Sequence, residues 1–92
     1  MKAIWKFRDG PGTIECTSFP FAFRTMYHTI QKGLKAGRSM NDMESKMSIV
    51  SPHRGQRGEI QKYSYAEAME MARSMGLLNS EGEINRREFR RF

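Results

Sequence analysis

The chain has 92 residues, of which 38% are hydrophobic and 28% are charged, and its formal net charge is +6. This length and composition predict one small basic domain over residues 1–92 and argue against wholesale disorder. A single cysteine, Cys16, excludes an internal disulfide framework, and no apolar run approaches the length of a membrane span. The N-terminal residues lack the apolar core of a signal peptide, so we expect a cytoplasmic protein.

Residues 1–17 have the pattern of a β-hairpin. Trp5 and Phe7 alternate with basic residues, which is the two-residue period of a strand with one face turned toward a core. Residues 9–12 contain two glycines and a proline and predict a turn. A second strand follows over residues 13–17, with Ile14 and Cys16 on one face.

A helix is predicted after Ser18, which is a candidate N-cap, and it ends near Gly37. One face repeats apolar residues at three- and four-residue spacing, namely Phe19, Phe23, Met26 or Tyr27, Ile30 and Leu34. The opposite face is basic. No acidic residue occurs between Glu15 and Asp42, so ion pairs within the helix cannot neutralise this face.

A second hairpin is predicted in the middle of the chain. Residues 39–45 indicate a short irregular or helical connection, residues 46–51 indicate a strand, and Pro52 is expected to end it. Residues 51–58 combine glycines with basic residues and predict a basic loop. Residues 59–63 then resume a strand pattern, with Ile60 as its apolar residue and Tyr63 as a second candidate.

The last third of the chain predicts a second main helix. Ser64 and Glu67 have the spacing of a capping box, and Gly76 is expected to end the helix. Residues 79–82 indicate a turn, after which Ile84 is expected to pack on the core. Residues 86–92 indicate a short helix, with an edge strand as the alternative. The core stripe of the second helix is predicted to be Tyr65, Met69, Ala72 and Met75.

The order of these elements, ββαββα followed by a short C-terminal helix or strand, predicts an α+β fold. An antiparallel sheet of about four strands is expected, with the helices on one of its faces. No sequence repeat is strong enough to indicate a duplication, and no pattern indicates an oligomeric state.

Charge is distributed unevenly along the chain. One arginine and four glutamates give residues 63–85 a net charge of −3, whereas residues 86–92 carry +3. Three basic elements stand out: the polar face of the first helix, the loop of the second hairpin and the C-terminal segment. The candidate binding residues are Arg24, His28, Lys32, Lys35, His53, Arg54, Arg57, Arg86, Arg87, Arg90, Arg91 and Phe92.

These basic elements predict a non-enzymatic binding protein with an anionic partner. Nucleic acid is the favoured partner, because arginine and lysine bind phosphate oxygens and release condensed counterions. RNA or single strands are favoured, since Phe89 and Phe92 are suited to base stacking. The alternative is a regulatory or inhibitory protein-interaction module that docks its basic surface on an acidic protein. No membrane partner is expected.

Catalytic and metal sites have weaker support in the sequence. His53 and Arg54, with tyrosines downstream, are compatible with a metal-independent ribonuclease, although a histidine in a loop is far more often a surface residue. Cys16, His28 and His53 have no metal-ligand spacing. Residues 77–89 match a calcium-binding EF-hand loop only in part, because Leu77 occupies the position of the first carboxylate. We therefore expect no enzyme activity, metal or cofactor.

Overall fold

The computed structural model describes residues 4–85, which form one sheet and three helices. Among these residues no helix is long and apolar enough to cross a membrane. The elements in chain order are β1 (Trp5–Asp9), β2 (Gly12–Cys16), α1 (Phe19–Lys35), α2 (Met40–Lys46), β3 (Met47–Arg54), β4 (Ile60–Ser64) and α3 (Tyr65–Ser74). The predicted C-terminal helix or strand over residues 86–92 lies outside the described residues.

The sheet has four antiparallel strands in the order β2-β1-β3-β4. Two hairpins, β1–β2 and β3–β4, are joined through their first strands, so that β1 and β3 occupy the centre. The predicted α+β fold with a four-stranded antiparallel sheet is confirmed. Strand order was not predicted, because it depends on contacts between residues that are far apart in sequence.

The core lies between one face of this sheet and the helices. Phe7 and Ile49 are cross-strand partners on the two central strands, and both are buried. Phe23 of α1 and Ala68 of α3 belong to the same buried cluster, so both main helices cover the same face. The face that carries Lys6, Arg8 and the other outward residues is not covered by any helix among residues 4–85.

Helix α1 begins where the sequence predicted. The Ser18 hydroxyl accepts a hydrogen bond from the Phe21 backbone N–H, and the chain leaves the helix through Gly37 at φ +87°. The predicted burial of Leu34 is wrong, since 46% of its surface is exposed. The buried stripe instead reaches Gly33, where the absence of a side chain lets the Met43 thioether pack directly on the helix.

The connection that follows α1 contains the short helix α2 (Met40–Lys46). A helical connection was one of the two alternatives that the sequence predicted there. Ser39 caps α2 by accepting a hydrogen bond from the Asp42 backbone N–H at 3.2 Å. Met43 is the one buried residue of this helix, and its position against Gly33 joins α2 to α1. The connection therefore completes the core at one end of the sheet.

Strand β3 continues through Pro52 to Arg54, so the prediction that Pro52 ends the strand is wrong. The pairing of β3 with β4 changes register between Val50 and Arg54. Proline has no backbone N–H to donate, and an irregularity of the ladder is a position where that loss is tolerated. Strand β4 is present as predicted, but its apolar residue Ile60 pairs with Arg54 and is 62% exposed.

Helix α3 has the predicted capping box. The Ser64 hydroxyl accepts from the Glu67 N–H at 3.3 Å, and the Ser64 N–H donates to Glu67 Oε1 at 3.1 Å. Met75, predicted to lie in the core, is 44% exposed because the chain turns at Gly76 with φ +77°. The following residue, Leu77, is fully buried and takes the place that the sequence pattern assigned to Met75.

The turn at residues 79–82 and the packing of Ile84 are confirmed. The Asn79 side-chain oxygen accepts hydrogen bonds from the backbone N–H groups of Glu81 and Glu83, both at 2.9 Å. Ile84 forms an isolated antiparallel bridge with Leu78 and packs against the core. The oxygen of Asn79, one of the residues that matched a calcium loop, is therefore used within the turn.

Candidate anion-binding site

The uncovered face of the sheet carries a row of basic side chains. Lys6 of β1 is the cross-strand partner of Val50 in β3, and Val50 is the partner of Lys62 in β4. Side chains alternate between the two faces of a strand, so Arg8 projects from the same face as Lys6. Lys6, Arg8 and Lys62 are all exposed.

These side chains line an open groove of about 440 Å³. Three strands contribute to it, and no aspartate or glutamate is among its lining residues. We call the outward side chains of this groove the open sheet surface; its members are Ile4, Lys6, Arg8, Val50, Arg54, Ile60 and Lys62. Four of them are cations and three are aliphatic, so the surface combines positive charge with exposed apolar area.

The positive charge of the open sheet surface is compensated only in part. Lys62 also lines a second groove, which Glu44 and Glu67 share. Lys6, Arg8 and Lys62 form no ion pair within 4.0 Å with an acidic side chain among residues 4–85. Glu15 of the edge strand β2 is the cross-strand partner of Lys6 and projects from the same face, so it places one carboxylate at the β2 edge of this surface. Cations that share one face repel each other, and an anion bound across them removes that repulsion.

The second hairpin brings Arg54 to this groove, but its loop is less basic than the sequence indicated. His53 and Arg54 belong to strand β3, and the Arg54 guanidinium donates to the Gly58 carbonyl at 3.3 Å. The Glu59 carboxylate folds back into the loop and accepts from the Arg57 backbone N–H at 2.9 Å. An acidic side chain therefore lies within the loop that the sequence predicted to be basic.

His53 lies at the end of the sheet beside an aromatic cluster. Its ring meets Trp5 edge-on, with 6.1 Å between centroids, and Trp5 also stacks on Tyr63 at 6.5 Å. The Tyr63 hydroxyl donates to the Gln61 side chain at 3.4 Å. These contacts give His53 a packing role at the border of the groove.

The three basic elements of the sequence are not all on one surface. The residues Arg24, His28, Lys32 and Lys35 are exposed on α1, whose buried residues face the sheet. They therefore point away from the open sheet surface, which lies on the other side of the sheet. The candidate residues Arg86, Arg87, Arg90, Arg91 and Phe92 lie outside the described residues.

The sequence analysis did not include Lys6, Arg8 and Lys62 among its candidate binding residues. Their alternation with Trp5 and Phe7 did indicate an outward-facing strand surface. It did not indicate that β1, β3 and β4 are neighbours, or that the outward face stays uncovered. The missing information was strand order, which brings residues about fifty positions apart in sequence into one row.

Other reactive groups are used in packing. Burial raises the pKa of the Cys16 thiol, although the neighbouring Thr25 hydroxyl, 4.0 Å from Sγ, acts in the opposite direction. A thiol with a raised pKa stays protonated and is a poor nucleophile. Within residues 4–85 no group of three or more histidine, cysteine or acidic residues is arranged to hold a metal ion.

No protein-family model, no curated protein and no solved structure matches this chain.

Proposed function

We propose that this chain is a non-enzymatic nucleic-acid-binding protein that contacts phosphate oxygens with its open sheet surface. The observation that carries the proposal is the groove that Lys6, Arg8, Arg54 and Lys62 line from three strands. None of its lining residues is acidic, although Glu15 lies beside Lys6 at its β2 edge. A phosphate backbone presents regularly spaced negative charges, and each neutralised phosphate releases condensed counterions. Such a surface binds the backbone without reading the base sequence.

The composition of the groove favours phosphate contacts over base stacking. No phenylalanine, tyrosine or tryptophan lines it, and Trp5 and Tyr63 stack on each other on the opposite face of the sheet, which the helices cover. The preference for RNA or single strands rests on Phe89 and Phe92, which lie outside the described residues. We propose that these aromatic residues and the tail arginines add to binding that begins on the sheet.

The salt dependence of binding tests this proposal. If the four basic side chains contact four phosphates, log affinity for a labelled oligonucleotide falls against log salt with a slope of about −3 to −4. The double variant Lys6→Ala/Lys62→Ala should lower the magnitude of that slope by about 1.4 to 1.8. No association with RNA or DNA of either strandedness at low salt would eliminate the proposal.

A control variant separates specific contacts from the loss of net charge. Arg73 is exposed on α3 and forms an ion pair with Glu70, so Arg73→Ala removes a cation away from the groove. This variant should bind with an unchanged salt slope. The variant Arg90→Ala/Arg91→Ala measures the contribution of the tail, and it should weaken binding without abolishing it.

A second function is favoured by one feature of the same surface. Ile4 and Ile60 are 41% and 62% exposed beside the cations, and exposed aliphatic side chains bordered by charge are typical of protein interfaces. The alternative is therefore an interaction module that docks on an acidic protein. Affinity capture with and without nuclease discriminates the two: a protein partner retained after nuclease favours the module, and complete loss of partners favours nucleic acid.

A further inference from the structure

Helix α1 presents a second basic surface. Arg24, His28, Lys32 and Lys35 follow one another at spacings of four, four and three residues, so they form a single stripe along the helix. All four are exposed, and residues 19–35 contain no aspartate or glutamate. We call this stripe the α1 surface.

The charge of the α1 surface is not neutralised by neighbouring residues. The cations that form ion pairs among residues 4–85 are Arg38 and Lys46 with Asp42, Arg38 with Asp9, and Arg73 with Glu70. None of these is on α1. Lys32 and Lys35 lie in the last turn, where cations are favourable beside the helix carbonyls. Arg24 lies in the middle of the helix, where that reason does not apply.

The α1 surface and the open sheet surface face opposite directions. Phe23 and Met26 of α1 pack inward onto Phe7 and Ile49 of the sheet, and these four side chains are fully or almost fully buried. The open sheet surface lies beyond the sheet on its other side. A nucleic-acid segment that lies along one surface therefore cannot lie along the other.

The borders between the two surfaces discourage a single strand from wrapping around the molecule. On the β4 side, helix α3 exposes Glu67 and Glu70. On the β2 side, Glu15 is exposed next to Lys6, at the edge of the open sheet surface. Phosphates near these carboxylates are repelled, so two separate basic surfaces fit two separate segments better than one wrapped segment.

We propose that a single copy of this chain bridges two nucleic-acid segments, one on the open sheet surface and one on the α1 surface. This inference rests on the proposed function, because both contacts are phosphate contacts. It adds that the protein holds two segments together and does not merely coat one.

A capture assay with the full chain tests the bridge. A short mixed-sequence duplex is fixed to beads, and a second, labelled duplex of the same sequence is added with the protein. The wild-type chain should retain the label, and calorimetry should give two duplexes bound per chain. The variant Arg24→Ala/Lys32→Ala/Lys35→Ala should lose the capture and bind one duplex. The control Lys46→Ala/Arg73→Ala, which removes two paired cations, should retain the label.

The outcomes separate this inference from the proposed function. A wild-type chain that binds one duplex and captures no second one overturns the bridge but leaves the proposed function intact. A chain that binds no nucleic acid overturns both. Capture that survives in the α1 variant also overturns the bridge, because two copies must then be joined through another surface. Light scattering that finds the free wild-type chain oligomeric, and the α1 variant monomeric, overturns it as well.

Discussion

Lys6 of β1 and Lys62 of β4 lie in one cross-strand row of the sheet, with only Val50 of β3 between them. Neighbouring strands are separated by about 4.8 Å, so the two backbones are about 10 Å apart. At that distance the repulsion of two ammonium groups in water is about 0.4 kcal/mol. Salt at physiological concentration screens it further. The row is therefore tolerated by the fold and available to an anion.

Replacing Lys6 or Lys62 should affect binding far more than stability. Because their mutual repulsion is small and both side chains are exposed, we expect Lys6→Ala and Lys62→Ala to change the free energy of unfolding by less than about 0.5 kcal/mol. Urea unfolding of each variant measures this directly. A loss of stability well beyond that range would mean that the lysines support the sheet, and the binding results would then need reinterpretation.

Gly33 should be intolerant of a side chain. A Cβ at this position would overlap the sulfur of Met43, which is fully buried, so the Met43 side chain would have to shift within the core. Overpacking costs about 1 to 3 kcal/mol, and the better helix propensity of alanine recovers about 1 kcal/mol of it. We therefore expect Gly33→Ala to destabilise the chain by up to about 2 kcal/mol in thermal or urea unfolding.

A double-mutant cycle identifies the cause of this loss. The variant Met43→Ala alone creates a cavity and should cost about 2 to 5 kcal/mol. When Gly33→Ala is added to it, the new methyl group enters that cavity, so the two effects should not add. Strict additivity of the two free-energy changes would contradict direct packing of Met43 on Gly33.

The capping box of α3 should produce a measurable pH dependence. The hydrogen bond that the Ser64 backbone N–H donates to the Glu67 carboxylate is the largest cause that lowers the pKa of Glu67 from its ordinary value of 4.5. A hydrogen bond with the Ser64 side chain lowers this pKa further. A carboxyl with a lowered pKa in the folded state stabilises the fold above its unfolded pKa. That contribution is lost as the pH falls through the folded value. Glu67→Gln does not titrate and should show a shallower loss of stability below pH 4.5.

Comparison of the urea midpoint of both proteins across the acid range measures this effect. If the urea midpoints of the wild-type chain and of Glu67→Gln fall equally as the pH is lowered, the capping hydrogen bonds do not contribute to the stability of the native state. At neutral pH, Ser64→Ala removes the oxygen that accepts from the Glu67 N–H and should cost about 1 kcal/mol.

Leu77 and Leu34 should respond oppositely to truncation. Leu77 is fully buried, and Leu77→Ala should cost about 2 to 5 kcal/mol. Leu34 lies on the exposed side of the last turn of α1, so Leu34→Ala should stay within about 0.5 kcal/mol of the wild-type chain. Both variants remove the same atoms from a leucine side chain. If urea unfolding gives equal losses in the free energy of unfolding, Leu34 is packed and the end of α1 is not exposed.

Local signals were sufficient to predict most elements of the fold. The capping box at Ser64 and Glu67, and the glycines at positions 37 and 76, act through hydrogen bonds and backbone angles within a few residues. Such signals are present in the sequence itself. The sequence pattern failed for Leu34, Ile60 and Met75, which lie at the ends of helices or strands and are exposed. At these ends the apolar spacing continues in the sequence, but the helix or sheet that would cover the side chain does not extend as far.

The sequence by itself determined the element types, the α+β class and the unusual acid-free stretch that includes α1. Tertiary structure decided the candidate site, because strand order brings Lys6, Arg8, Arg54 and Lys62 into one groove. It also separated that groove from the α1 surface by a layer of buried side chains. The physical reason is that side-chain direction along an element follows from local geometry, whereas the neighbours of a surface depend on how distant segments pair.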